Sequence, residues 1–150
     1  MSETSDVERA DGIGRRRARI FAVQAVLFIS WQGLFFAGPQ GDPLRTVSAV
    51  KLSAWFVWAL LLLFLLATGG GLVRHRKLRG LLNDELTRKN RSRAYAAGFW
   101  AAAAACVLLY LVGMLEPVSG REAIHIILSA AVGAALLTFA ILERRTAGIG

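Results

Sequence analysis

The chain has 150 residues, 55% of them in the AVILMFWYC set, and a net charge of +8 from 18 Lys and Arg against 10 Asp and Glu. A water-soluble domain of this size cannot hide so much apolar side chain, so the composition points to a single membrane-embedded unit. One cysteine excludes a disulfide framework and every motif built on cysteine pairs, including zinc ribbons, iron–sulfur clusters and CxxC redox chemistry.

Residues 1–14 are polar, acidic and glycine-terminated, and are expected to form a disordered tail. Within them Gly12-Ile13-Gly14 lacks the preceding strand and the third glycine of a dinucleotide fingerprint. The remainder, 15–150, reads as one membrane domain. Charged residues leave four uncharged intervals in it, at 20–41, 52–73, 94–115 and 123–142. At the helical rise each covers roughly 30 Å, the thickness of a hydrocarbon core. The fold class is therefore expected to be all-α, a bundle of four transmembrane helices. A soluble bundle would need a polar stripe on every helix, and the stretch from Trp55 to Ala67 has none.

The first span follows Arg15, Arg16, Arg17 and Arg19. It is longer than the apolar region of a signal peptide, and its exit, Phe35-Phe36-Ala37-Gly38-Pro39, lacks a small-x-small cleavage pattern, so a retained anchor is expected. The connections at 38–43 and 116–121 are short and rich in Gly and Pro. They should fold spans one and two, and spans three and four, into antiparallel hairpins. The connection between the hairpins is longer and forms a basic arm, 74–93. In it Asn83 is a candidate N-cap, followed by Asp84 and Glu85 where a helix dipole favours acids. The third helix should begin near Asp84 and enter the membrane near Tyr95.

Orientation follows from where the cations fall. Fifteen of the Lys and Arg lie in the N-terminal tail, the basic arm and the C-terminal tail, and only Arg45, Lys51 and Arg121 lie on the other side. Positive charge is retained on the cytoplasmic face during insertion, so both termini are expected inside. Seven acids accompany the fifteen cations and three accompany the other three, which puts the whole net charge on one face.

Three groups of residues are candidates for function. In the basic arm, Arg74, Arg76, Lys77, Arg79, Arg88, Lys89, Arg91 and Arg93 can meet anionic lipid headgroups or a membrane or cytoplasmic protein partner, beside the plain role of setting topology. Nucleic acid is not expected, because no aromatic ring interleaves with the charges between Arg74 and Arg93. Small residues at a spacing of four, Gly98 and Ala102 with Ala94 and Cys106 in the third span, and Ser129 and Gly133 with Ala130 and Ala134 in the fourth, should let helices three and four approach closely. The same stripe could instead form a seam between two copies.

The third group is the intramembrane polar set, chiefly Gln24, Gln32, Ser53 and His125. No acidic residue lies within any span, which argues against a proton-coupled transporter. Glu122-x-x-His125 has the spacing of half a di-iron motif, but the second half and its carboxylates are missing. An interfacial histidine beside a snorkelling glutamate is the reading adopted, with no metal and no cofactor. Trp31, Trp55, Trp58, Trp100 and Tyr95 fall toward span ends and are expected to anchor at the interface, and Cys106 to be a small buried residue.

Known four-span families are excluded by the residues they require. The small multidrug transporters need a glutamate in the first helix, the vitamin K epoxide reductases need paired cysteines, and the membrane glutathione-transferase-like proteins need motifs after the first span. The stretch Leu82-Asn83-Asp84-Glu85-Leu86-Thr87-Arg88, followed by Arg93-Ala94, resembles a Leu-Asp-Glu-Arg-like element that precedes a late span in small bacterial inner-membrane proteins of unassigned function, differing from it at Asn83 and Leu86. The resemblance covers about a fifth of the chain and implies a bacterial membrane protein.

The sequence thus predicts a multi-pass protein of a bacterial plasma membrane without catalysis of its own, because no nucleophile, base and orienting group can be placed at one depth. The expected role is an accessory or regulatory subunit that meets lipid or a partner through its basic arm. The alternative is a small oligomeric transporter or channel with a polar path near Gln24, Gln32 and Ser53.

Overall fold

The three prolines, Pro39, Pro43 and Pro117, divide the sequence where a helix ladder cannot continue. The computed structural model describes residues 2–37, 45–68 and 85–146, with side chains over 14–32, 53–68 and 85–146. All the secondary structure in these residues is helical. It consists of α1 (Ser2–Ala37), α2 (Arg45–Ala67), α3 (Glu85–Gly113) and α4 (Gly120–Thr146), and none of them contains a proline. Helices α3 and α4 are long and apolar enough to cross a membrane, and α2 holds a shorter apolar stretch, Ser53–Ala67.

Two boundaries differ from the expectation. The backbone of 2–14, expected to be a disordered tail, is helical and continuous with α1. The stretch contains no proline, so no ladder hydrogen bond is lost as the helix extends through it. Helix α2 starts at Arg45 and so takes in Lys51, which the charge-free interval had left outside. The connection at 38–43 and the arm residues Arg74, Arg76, Lys77, Arg79, Asn83 and Asp84 lie outside the described residues.

Helix ends are satisfied locally. At the C-terminus of α2, Thr68 donates from its backbone N–H to the Phe64 carbonyl (2.9 Å) and from its hydroxyl to the Phe64 and Leu65 carbonyls (3.0 and 3.1 Å). Arg91, from α3, donates to the Ala67 carbonyl at 2.7 Å and so caps α2 from outside. Helix α4 opens with a capping box: Glu122 accepts from the Ser119 N–H (3.0 Å) and hydroxyl (2.8 Å), and the Glu122 N–H donates to the Ser119 hydroxyl (3.2 Å). Glu122, expected to snorkel beside His125, is therefore a capping residue.

Packing centres on α4. It packs most extensively against α3 and then α1, with α2 touching it less. Helices α1 and α2 meet mainly through rings, with Phe28 5.4 Å from Trp58 and 6.2 Å from Trp55, and Trp31 6.3 Å from Trp58. The buried residues of α1 (Ala18, Phe21, Ala25, Phe28, Gln32) and of α2 (Trp55, Ala59, Leu62, Leu66) recur at spacings of three and four, the single stripe of a helix that packs on one side. The buried set of α4 is broader, from His125 through Val132, Gly133, Ala135, Leu136, Phe139 and Ala140 to Glu143, because α4 has neighbours on several sides.

The small residues divide between two contacts. A Cβ at Gly98 would lie 2.8 Å from the Ala131 carbonyl oxygen and 3.1 Å from the Ala135 Cβ, so Gly98 sets the close α3–α4 approach, as its spacing suggested. Its partners are Ala131 and Ala135 rather than the Ser129 and Gly133 expected. Gly133 faces α1, where an added Cβ would meet Ile29 at 3.2 Å. Residues 131 and 133 are about 200° apart around the helix, so a helix held between two neighbours needs a small residue on each side. Ala102 is half-buried, and Ser129 is half-buried with its hydroxyl donating to the His125 carbonyl at 2.6 Å.

The outer surface is apolar. On α3, Phe99, Trp100, Val107, Leu108, Tyr110 and Leu111 are exposed, and only 11% of its apolar window is buried. Exposed apolar side chains in this number accompany a helix long and apolar enough to cross a membrane. Gly98→Ala is expected to lower thermal stability in mild detergent by about 1–3 kcal/mol through overpacking. Gly113→Ala, where a Cβ meets nothing within 4 Å, should be neutral or slightly stabilising in the same measurement.

Candidate functional site

The buried face of α1 reaches Arg17 one turn before Phe21, and the buried face of α4 reaches Glu143 one turn after Phe139. The two rings meet edge to face with centroids 4.8 Å apart, which brings the charged pair together at the same end of the bundle. Arg17 forms an ion pair with Glu143, and the two side chains are 11% and 5% exposed. The guanidinium also donates to the Thr87 hydroxyl at 3.2 Å and lies 5.7 Å from the centroid of the Phe139 ring. From α3, the Asn90 amide donates to Glu143 (3.5 Å) and to the Thr146 hydroxyl (3.2 Å), and that hydroxyl donates to the Leu142 carbonyl (2.9 Å).

This arrangement links three helices through one carboxylate and one guanidinium. A charge at low exposure is tolerable only when it is paired and hydrogen-bonded, and here Glu143 has both Arg17 and Asn90. Among the described residues no group of three histidine, cysteine or carboxylate side chains that could hold a metal ion occurs. The chemistry of the arrangement is electrostatic: it fixes where α1 sits on the α3–α4 pair.

Around this end eight further cations of the described residues are exposed. Arg15, Arg16 and Arg19 on α1, Arg88, Lys89 and Arg93 on α3, and Arg144 and Arg145 on α4 all face outward. Of the arm residues proposed for lipid or partner contact, Arg88, Lys89 and Arg93 are thus free to meet one, whereas Arg91 is half-buried and spent on the α2 terminus.

The opposite end carries the second polar group. His125 is 1% exposed, and its ring centroid lies 4.1 Å from that of Trp55, itself 3% exposed. Both were expected at an interface, and both are instead core residues, because α2 and α4 turn these faces toward each other. Gln32 is buried, Gln24 half-buried and Ser53 exposed, so the structure does not bring the three glutamine and serine candidates into one path. Cys106, expected to be buried, is exposed and lines an open apolar groove of about 530 Å³ between α3 and α4 with Leu109, Tyr110, Met114 and Ile127.

Sequence reasoning missed Arg17, Thr87, Asn90, Glu143 and Thr146. A signal existed for three of them. Extending the Gly98 and Ala94 spacing backward reaches Asn90 and Thr87 on the same face, and Arg17 is the member of its basic run that stands one turn before Phe21. No protein-family model, curated protein sequence or solved structure matches the chain.

Removing one member of the pair strands a buried charge, so Arg17→Ala should cost about 3–5 kcal/mol. The combined Arg17→Met and Glu143→Leu chain should regain most of that loss. A double-mutant cycle on unfolding in mild detergent checks both, and additive losses would show that the two side chains do not interact.

Proposed function

We propose that this chain is a multi-pass protein of a bacterial plasma membrane. In this reading all four helices cross the bilayer, as two hairpins, with both termini on the cytoplasmic side. It serves as a non-catalytic accessory or regulatory subunit, meeting anionic lipid headgroups or a partner protein through its basic cytoplasmic arm. The observation that carries the proposal is the separation of surfaces: apolar side walls on α1, α2 and α3, and eight outward cations gathered around the Arg17–Glu143 end. Apolar walls suit hydrocarbon, and a cationic end suits the anionic cytoplasmic leaflet or an acidic partner. Among the residues whose side chains are described, the other end offers Arg121 with Glu116 and Glu122, which adds no net positive charge.

Transport along the polar residues receives less support. Between Gln32 and Arg17 the core is filled by Phe28, Leu62, Leu66, Leu136, Phe139 and Phe21, all buried, and neither Gln24 nor Ser53 joins Gln32 inside. A path of this kind would have to run between copies rather than through one.

Two experiments test the proposal. Tagged protein purified at native expression in mild detergent should bring down the same partner repeatedly, with recovery falling several-fold when Arg88, Lys89 and Arg93 are changed together to Gln. Repeated recovery of the chain alone refutes the subunit role. A reporter active only outside the cytoplasm should stay silent when fused after Gly150, and activity there overturns the orientation.

A further inference from the structure

Helices α1 and α4 run antiparallel with their register pinned at three points: Arg17 on Glu143, Phe21 on Phe139, and Ile29 on Gly133. Continuing that register by one turn brings Gln32 level with Ser129, one turn from His125. On α2, Trp55 stands at the same height, 6.2 Å from the Phe28 ring on one side and 4.1 Å from the His125 ring on the other. Three helices therefore contribute polar side chains to one buried layer: Gln32, Trp55 and His125. Gln32 is 8% exposed and Trp55 3%.

Buried polar atoms in folded proteins almost always have hydrogen-bond partners. Among the described residues, neither the Gln32 amide nitrogen, nor its oxygen, nor the Trp55 indole nitrogen has a protein partner. The nearby hydroxyl of Ser129 is already donated to the His125 carbonyl, and Glu122, one turn before His125, is taken up by the Ser119 cap. Two donors and an acceptor are thus presented inside a wall of aromatic rings.

We propose that this layer is a binding site for a small uncharged molecule that both donates and accepts hydrogen bonds, and that in the membrane its occupant is internal water. One water accepting from the Trp55 N–H can donate to the Gln32 oxygen, and the Gln32 amide N–H is satisfied by the same molecule or a second one. The chemistry of the layer sets the class. A cation would need a carboxylate or a set of oxygens that these three side chains do not supply, an anion would need a fixed positive charge, and one imidazole does not hold a transition metal. Water has the matching donors and acceptors and fits between rings stacked this closely. Below the layer the core is filled by Phe28, Leu62 and Leu136. The inference goes beyond the subunit role and does not depend on it.

The sign of one substitution tests it. If the layer is dry, Gln32→Leu removes an unsatisfied amide from an apolar core and raises the thermal midpoint. If water bridges Gln32 to Trp55, the same change leaves the water and indole short of a partner and lowers the midpoint, by about 2–4 °C for each such bond lost. The second measurement does not rely on a variant's stability. In full-length protein labelled at the tryptophan indoles, with the Trp55 signal assigned by its loss in Trp55→Phe, cross-relaxation between the Trp55 N–H and a long-lived water is expected. A raised midpoint for Gln32→Leu overturns the proposal, as does a Trp55 N–H without a water cross-peak or bonded to a protein acceptor. Where Gln32→Leu does not fold, the indole measurement decides alone.

Discussion

The Arg17–Glu143 pair carries the arrangement of the bundle, because among the described residues it is the one contact between α1 and α4 whose misplacement strands a charge. Ring against ring, or methyl against glycine, tolerates sliding by a fraction of a turn at small cost. A guanidinium and a carboxylate at low exposure do not, since each depends on the other to offset its desolvation. With that pair in place, Phe21 meets Phe139 and Ile29 meets Gly133 as consequences of helical geometry. Asn90 and Thr87 then attach α3 to the same two charges, so that a single cluster sets the position of three helices.

Away from that end, apolar side chains lie on the outside of the bundle as well as within it. The α3–α4 seam is narrow where Gly98 meets Ala131, while large apolar side chains such as Phe99, Trp100 and Leu108 point outward. Where apolar surface need not be hidden from water, helix association depends on close van der Waals contact and on a few polar links. Helix α4, with small residues on two faces and both buried polar ends, Glu143 and His125, makes the largest share of those contacts. The α3–α4 and α1–α4 contacts therefore organise the molecule more than the contact of α1 with α2, which meet chiefly ring to ring.

Much of the helical content was legible in the chain because it depends on local rules. Prolines at 39, 43 and 117 mark the breaks, long charge-free intervals mark the apolar segments, and Gly98 is a small residue in a spaced series. Burial at particular positions was not legible. Trp55 and His125 sit near the ends of apolar stretches, where an interfacial position is the ordinary expectation, and only the facing of α2 on α4 turns them inward. Glu143 lay just beyond a charge-free interval and was counted with the polar tail. The search for intervals free of charge could not find it, since such a search discards every charge that is buried by pairing. Arg91 was assigned to a lipid or partner surface for a related reason: its role as a cap on α2 exists only once two segments distant in sequence are brought together.

The sequence by itself determined composition, helical class, the placement of apolar segments and the asymmetry of charge, all of which follow from residue identity and order along one chain. Tertiary structure decided which charges are surface and which are structural. Eight of the described cations at one end face outward, while Arg17 and Arg91, drawn from the same basic runs, are turned inward to a carboxylate and a helix terminus. The physical reason is that a charge takes its role from its partner and its exposure, and both depend on helices packed from different parts of the chain. The net charge of +8 that first described this protein as uniformly basic resolves into an exposed cationic rim around a buried and balanced pair.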